Sequence, residues 1–284
     1  MIKLIAFLDG SIYSKSVCEY AAWIAVKVGG SVDLVHVLGR RDESSTPVDL
    51  SGSIGLGART ALLEELAELD GQMARLGHKR GRAILEDARD LLLASGIEEV
   101  HTLLRNDGIV EAIQTFEKDA DLIVIGKRGE GTEIDEMHLG SNFERVVRAS
   151  HKPILVASRD FISVKRALIA FDGGASALKA VNYLARNQAF NDIECHLLSV
   201  TDASTKANKR LESAAVLLRD AGYTVGTTIQ TGQPEAVICE KIKTGQFDLL
   251  LMGAYGHSHI RNLIIGSTTT AMIRSCKIPV LLFR

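Results

Sequence analysis

The sequence is internally repeated, and this repeat constrains the fold more than any other feature. Each half contains, in the same order, an apolar run ending in aspartate, one ending in valine, one ending in glycine and one with a proline near its start. The four pairs are 4–9 with 168–172, 32–37 with 194–200, 121–126 with 248–253, and 152–156 with 277–281. Four matches in one order indicate a duplicated domain. We expect two domains, at 1–160 and 161–284.

The first half is the longer one, because additional sequence lies between its second and third matched runs. Residues 41–58 are polar and glycine-rich, which predicts a loop. From about residue 59 to 94 the apolar residues recur three or four apart, which predicts an amphipathic helix covering the sheet. A lid over a ligand and a contact with a neighbouring subunit are alternatives. The inserted region, at about 41–76, has no counterpart in the second half.

Apolar runs alternate with helical stretches in each half, which predicts the α/β class. In the second half the expected strands lie near 166–171, 194–200, 225–230, 247–252 and 278–283, and the helices near 175–188, 204–221, 234–244 and 267–276. Right-handed crossovers give a mostly parallel five-stranded sheet with helices on both faces. A ligand would bind beyond the carboxyl ends of strands 1 and 4, where the strand order reverses.

A glycine pattern follows the fourth predicted strand of the second half. Gly253 is followed after two residues by Gly256, and after nine more by Gly266 and Ser267. Glycines allow a close approach of the backbone, and the unpaired N–H groups at the start of the next helix attract an anion. The pattern predicts a polyphosphate site.

Composition excludes some other classes of function. The net charge of −2 lacks the basic excess of a nucleic-acid-binding protein. We find no apolar run of membrane-spanning length and no signal peptide at the start, so we expect no membrane partner. The four cysteines are widely spaced, which is typical of reduced thiols in a cytoplasmic protein.

With these motifs in view, the chain resembles a tandem universal stress protein. The resemblance extends over nearly the whole chain apart from the 41–76 region. It rests on the G-x2-G-x9-G-[ST] pattern described above, on Asp172 after strand 1, on Val200 at the end of strand 2, and on Gly232-Gln233-Pro234 at the third helix. It implies two Rossmann-like domains of the adenine nucleotide alpha hydrolase-like type. It further implies ATP, or ADP or AMP, as ligand, with or without Mg²⁺.

The resemblance also implies which residues bind the nucleotide. The implied positions are Ala170, Phe171, Asp172, Val200, Met252, Gly253, Gly256, His257, Gly266, Ser267, Thr268 and Thr269. Asp172 and Val200 would border adenine and ribose. The residues from Gly266 onward would give N–H and hydroxyl donors to the phosphates.

The first half departs from this pattern. Ten residues, not nine, separate its second and third glycines, and they include four carboxylates. The corresponding second site would comprise Asp9, Val37, Gly126, Gly129, Gly140, Ser141 and Asn142. Lys127 and Arg128 could neutralise phosphate there. We expect the nucleotide mainly in the second half.

Two other functions stay open. The chain has neither a Walker P-loop nor a dinucleotide fingerprint after its first strand. His257 and His259 are two apart in a glycine loop with no identifiable third ligand, so we assign no metal site. No nucleophile and base occur at a recognisable spacing, which leaves at most a slow ATPase. The other alternative is a nucleotide-free module for protein interaction.

The apolar last strand of each half predicts how the halves assemble. Residues 153–157 and 279–283 would lie at sheet edges, where an apolar strand seeks a partner. Members of the family pair such edges across a dimer, so here the two halves would pair within one chain as a pseudo-dimer. Two chains could then form a homodimer through the 59–94 helix. An unidentified protein partner would read the nucleotide-bound conformation.

Overall fold

The computed structural model describes residues 2–38, 56–127, 141–187, 190–254 and 266–284. In the two helices that begin at residues 56 and 141, side chains are described from Leu62 and Phe143 onward. Gly129, Gly140, Gly256 and His257, which the sequence places in the two nucleotide sites, lie outside these residues.

The first half alternates strands and helices as the sequence predicts. Its elements are β1 (Lys3–Leu8), α1 (Ser14–Val28), β2 (Ser31–Val37), α2 (Leu56–Ala94), β3 (Val100–Arg105), α3 (Ile109–Phe116), β4 (Leu122–Gly126), α4 (Ser141–Ala149) and β5 (Ile154–Ala157). Helix α2 begins three residues before the predicted position. Gly29, at a positive φ of 61°, ends α1 in the left-handed conformation that glycine tolerates.

The second half repeats this order. Its elements are β6 (Arg166–Ala170), α5 (Ala175–Arg186), β7 (Glu194–Val200), α6 (Thr205–Asp220), β8 (Val225–Gln230), α7 (Pro234–Gly245), β9 (Leu249–Gly253), α8 (Ser267–Ser275) and β10 (Val280–Phe283). Pro234 occupies the first turn of α7, where its missing N–H costs nothing. Gly232, at a φ of 137°, provides the turn before that helix.

The strands form one sheet in the order β3-β2-β1-β4-β5-β10-β9-β6-β7-β8. Neighbouring strands are parallel except β5 and β10, which pair antiparallel through Leu155 and Leu281 at the centre of the sheet. The expected pairing of the two halves within one chain is therefore confirmed. Within each half the strand order reverses between strand 1 and strand 4, which is β1 and β4 in the first half and β6 and β9 in the second.

Helices cover both faces of the sheet, which confirms the predicted α/β class. One core contains residues of α1, α2, α5 and α6, and the other contains residues of α3, α4, α7 and α8. The four central strands, β4, β5, β10 and β9, face a core on both sides, so they are apolar along their whole length. Within the described residues, no helix combines the length and the apolarity needed to span a bilayer.

The four cysteines are free, and three of them lie in the core. Burial raises the pKa of Cys18, Cys195 and Cys276 to about 12. These thiols are therefore protonated and unreactive at neutral pH, because the thiolate is the reactive form.

Each half also contributes a cation that caps a helix of the other half. Lys127, which follows β4, is buried, and its Nζ donates to the carbonyl oxygens of Cys276 at 2.6 Å and Arg274 at 3.2 Å, at the end of α8. Arg284 donates through Nη1 to the Arg148 carbonyl at the end of α4, at 2.7 Å. Carbonyls at the end of a helix have no intrahelical donor, so these cations satisfy them and complement the dipole.

We expect Lys127→Met to destabilise the protein by about 1–3 kcal/mol, because it leaves buried carbonyls without a donor. Urea unfolding followed by circular dichroism measures the change. Lys277→Met is the matched control, since Lys277 is an exposed lysine just after α8. Equal stability of the two variants would show that the Lys127 contacts contribute nothing.

Candidate functional site

A cavity of about 340 Å³ lies at the carboxyl ends of β6, β7 and β9, beneath the start of α8. It contains ten of the twelve residues that the resemblance implies for the second half, namely Ala170, Phe171, Asp172, Val200, Met252, Gly253, Gly266, Ser267, Thr268 and Thr269. They come from four separate elements, and the reversal of strand order between β6 and β9 brings them together. The volume is within the usual range for a small-molecule site.

The walls of the cavity are apolar at the strand ends. Phe171, Leu198, Ile238 and Met252 are all buried side chains that line it. Asp172 lies at the margin, and its Oδ1 accepts a hydrogen bond from the Gly174 N–H at 2.8 Å, which fixes the carboxylate at the end of the strand. An apolar slot with a carboxylate at its margin suits a planar base joined to a hydroxylated sugar.

The opposite side of the cavity is the N-terminus of α8. Gly266 is the residue before the first turn and has no side chain to cap it, and the first turn contains no acidic residue. By contrast, α6 is capped by its own Ser204, whose Oγ accepts from the Ala207 N–H at 3.2 Å. No described side chain caps the first N–H groups of α8, so these groups and the helix dipole are available for an anion in the cavity.

Thr269 connects the start of α8 to the end of β9. Its side chain is buried, and Oγ1 donates to the Gly253 carbonyl at 3.0 Å. The Gly266 N–H donates to the Ala254 carbonyl at 3.1 Å, so the residue before α8 lies against the residue after β9. The Thr269 hydroxyl is therefore engaged with the end of β9, whereas Ser267, which is exposed, and Thr268 line the cavity.

Three lining residues, Leu198, Pro234 and Ile238, are absent from the implied binding positions, although Pro234 belongs to the motif noted at the third helix. Leu198 lies two residues before Val200 on β7, so the alternation of a strand places both on one face. Ile238 lies four residues after Pro234 on α7, so both occupy one face of the helix. These two periodicities would have identified Leu198 and Ile238.

The first half differs at the corresponding positions. Phe143 occupies the position of Thr269 and is buried in the core, so it provides no hydroxyl for the loop after β4. Helix α4 carries Glu144 in its first turn, where a phosphate would be repelled. Of the second predicted site, Asp9, Val37 and Gly126 lie at the ends of β1, β2 and β4; Ser141 and Asn142 begin α4.

Lys127, which the sequence suggests could neutralise phosphate in the first half, has contacts elsewhere. Its ammonium group donates to two carbonyls at the end of α8. The physical reason is that those carbonyls lie at the junction of the halves and need a donor. Arg128 lies outside the described residues.

A second cavity, of about 330 Å³, opens on the α6 side of the same strand ends, and Ser199, Lys206 and Arg210 contribute to it. In the first half His36 occupies the position of Ser199; its Nδ1 donates to the Leu8 carbonyl at 2.7 Å, and its ring lies against Gly81 of α2. The two halves therefore differ on both faces of the strand ends. Within the described part of the chain, no three histidine, cysteine or acidic residues are grouped to hold a metal.

Comparison with known proteins gives a consistent result. A model of the universal stress protein family matches residues 1–158 and again residues 163–284. The chain is similar to universal stress protein Slr1230 of Synechocystis sp., with 36% identity over 287 residues that cover 100% of both proteins.

A solved structure that covers nearly the whole chain agrees on the fold. A universal stress protein from Archaeoglobus fulgidus matches with a TM-score of 0.73 and 20% identity, over 99% of this chain and 98% of that one. A universal stress protein solved in complex with cAMP matches 43% of this chain and 98% of its own, with 22% identity and a TM-score of 0.38.

Proposed function

This chain belongs to the universal stress protein family, and from that premise we propose that it binds an adenine nucleotide in the cavity of its second half. ATP is the proposed ligand, with ADP and AMP as alternatives. The division into two domains near residue 160 is part of the same proposal. Nucleotide binding would stabilise a conformation that a protein partner recognises. The role of the protein would then be regulatory.

The observation that carries this proposal is the composition of the cavity. One side is apolar, with Asp172 at its margin, and the other is the free N-terminus of α8 with Ser267 and Thr268. An adenine nucleotide has the matching chemistry, because its base is planar and mostly apolar at its faces and its other end is anionic.

The same reasoning favours the second half over the first. Thr269 joins the start of α8 to the end of β9 through its hydroxyl, whereas Phe143, at the corresponding position of α4, has no hydroxyl and lies in the core. Glu144 also places a negative charge in the first turn of α4. We therefore propose one nucleotide per chain.

Mg²⁺ fits the proposed site as a companion of the phosphates. The carboxylate among the residues that line the cavity is Asp172, so Mg²⁺ would be held chiefly by phosphate oxygens and water, as is common for this ion. The four free thiols are typical of a reducing compartment. We therefore propose that the protein acts in the cytoplasm.

The test is to denature the purified protein, to identify any released nucleotide by chromatography, and to titrate the nucleotide-free protein with ATP by calorimetry. We expect one adenine nucleotide per chain. Two per chain would restore the first-half site. Neither released nucleotide nor heat of binding would reject the proposal in favour of a nucleotide-free interaction module.

A further inference from the structure

The first part of helix α2 extends beyond the sheet. Every residue from 63 to 76 is exposed, whereas Gly81, Leu85, Ala88 and Leu92 are buried against β2, β3 and α1. At a rise of about 1.5 Å per residue, the exposed part measures roughly 20 Å. A helix that projects this far receives no stabilisation from the core of its own domain.

The projecting part carries an apolar stripe. Its members are Leu62, Leu66, Leu69, Met73 and Leu76, spaced alternately four and three residues apart. Leu69, Met73 and Leu76 are 56%, 59% and 62% exposed, respectively. At 100° per residue the stripe lies about 110° around the helix from the buried side chains. The stripe is therefore not a continuation of the face that packs on the sheet, and it needs a partner of its own.

We propose that this partner is a second copy of the chain, and that the two α2 helices form a short antiparallel coiled coil. Alternating spacings of four and three are the heptad repeat of coiled coils, with Leu66 and Met73 at a and the three other leucines at d. Four of the five side chains in the stripe are leucine, so the stripe can pack against a leucine-rich stripe on a second helix.

The charges that flank the stripe select the antiparallel direction. With the two-fold axis beside Gly71, Leu66 packs against Leu76 of the second copy and Leu69 against its Met73. Glu65 then lies opposite Lys79 of the second copy, and symmetry makes this ion pair twice. Among the described residues neither Glu65 nor Lys79 has an ion-pair partner within its own chain.

A parallel arrangement is disfavoured by the same charges. It would place Glu65 opposite Asp70 of the second copy, twice, and like charges in these flanking positions oppose pairing. The antiparallel arrangement brings the two Asp70 residues near each other once. The antiparallel arrangement therefore has two attractive pairs, between Glu65 and Lys79, that the parallel arrangement lacks.

The chain's own segment at 39–55 does not match the stripe. Its large apolar residues are Val48, Leu50 and Ile54, and Pro47 interrupts it. It lacks the residues to fill five positions in heptad spacing.

Sedimentation velocity over a concentration series tests the proposal. We expect the unmodified chain to form a dimer, and Leu69→Glu to be monomeric, with any loss of helical circular dichroism limited to the projecting part of α2. Leu178→Glu is the matched control, because Leu178 is 43% exposed on α5, and it should remain dimeric. A monomeric parent chain, or a Leu69→Glu variant that still dimerises, would overturn the proposal.

A charge exchange tests the direction without altering the stripe. Glu65→Lys and Lys79→Glu should each weaken the dimer roughly tenfold, and the double variant should restore it. In a parallel dimer, Glu65→Lys alone would instead strengthen association, because the introduced lysine would face Asp70 of the second copy. Strengthening by that single substitution, or no recovery in the double variant, contradicts the antiparallel pairing.

Discussion

Ser267→Asp is expected to weaken ATP binding about 30-fold or more while leaving the fold intact. The substitution places a carboxylate in the first turn of α8, beside the proposed phosphates. Two unit charges about 4 Å apart interact by about 4 kcal/mol at an effective dielectric constant of 20, and we halve this because Ser267 is exposed. About 2 kcal/mol corresponds to roughly a 30-fold change in affinity. Calorimetric titration with ATP measures it.

Folding should not suffer from this substitution, because aspartate is favourable in the first turn of a helix. Unfolding by heat should therefore occur at the same temperature or slightly higher. Ser141→Asp is the matched control, since Ser141 begins α4 in the first half, and it should leave ATP binding unchanged. Adenosine, which lacks phosphates, should bind the Ser267→Asp protein as well as the parent. Equal loss of adenosine and ATP would mean that the phosphates do not lie at α8.

Leu281→Ala is expected to destabilise the whole chain by about 3 kcal/mol, because it leaves a cavity in a core that cannot fully relax. Leu281 is fully buried in β10 and is paired with Leu155 on one side and Leu251 on the other. It is therefore part of the junction between the two halves. Urea unfolding followed by circular dichroism measures the loss.

The tryptophan signal extends this experiment to the first half. Trp23, the single tryptophan, lies on α1, with its ring 5.8 Å from that of Phe190 in the second half. Because the halves share one sheet, its fluorescence should report a transition shifted as far as the circular dichroism. Leu178→Ala, at an exposed position, should shift neither signal measurably. A tryptophan transition that stays in place while the other moves would show that the halves unfold independently.

The two halves show how one fold supports unequal sites. The backbone is repeated, with glycines at positive φ after β1 and β6, at Gly10 and Gly173. Side chains differ at the places that decide binding. Phe143 replaces Thr269 beneath the loop, and His36 replaces Ser199 on the other face. In this proposal the first half therefore serves chiefly as the partner that covers the apolar edge strand of the second half.

The sequence by itself determined the strand and helix pattern, the duplication and the loop before α8. These features depend on local periodicity and on glycine spacing, which are expressed along the chain. The alternation of apolar runs with helical stretches predicted the second-half elements to within a few residues at each end. The aspartate, valine and glycine at strand ends could be grouped into one site because the topology of parallel α/β sheets is itself strongly restricted.

Only the tertiary structure decided what depends on contacts between distant segments. The position of Lys127 in the glycine-containing segment after β4 suggested that it could counter phosphate charge. In the structure it caps α8, because the end of that helix lies beside it. The leucines at 63–76 were predicted to belong to a helix that covers the sheet, and they are exposed because the sheet ends before they reach it. The exposed leucines depend on how far the sheet extends, and the Lys127 contacts depend on which carbonyls at a helix end need a donor. Neither property is encoded in the spacing of residues along the chain.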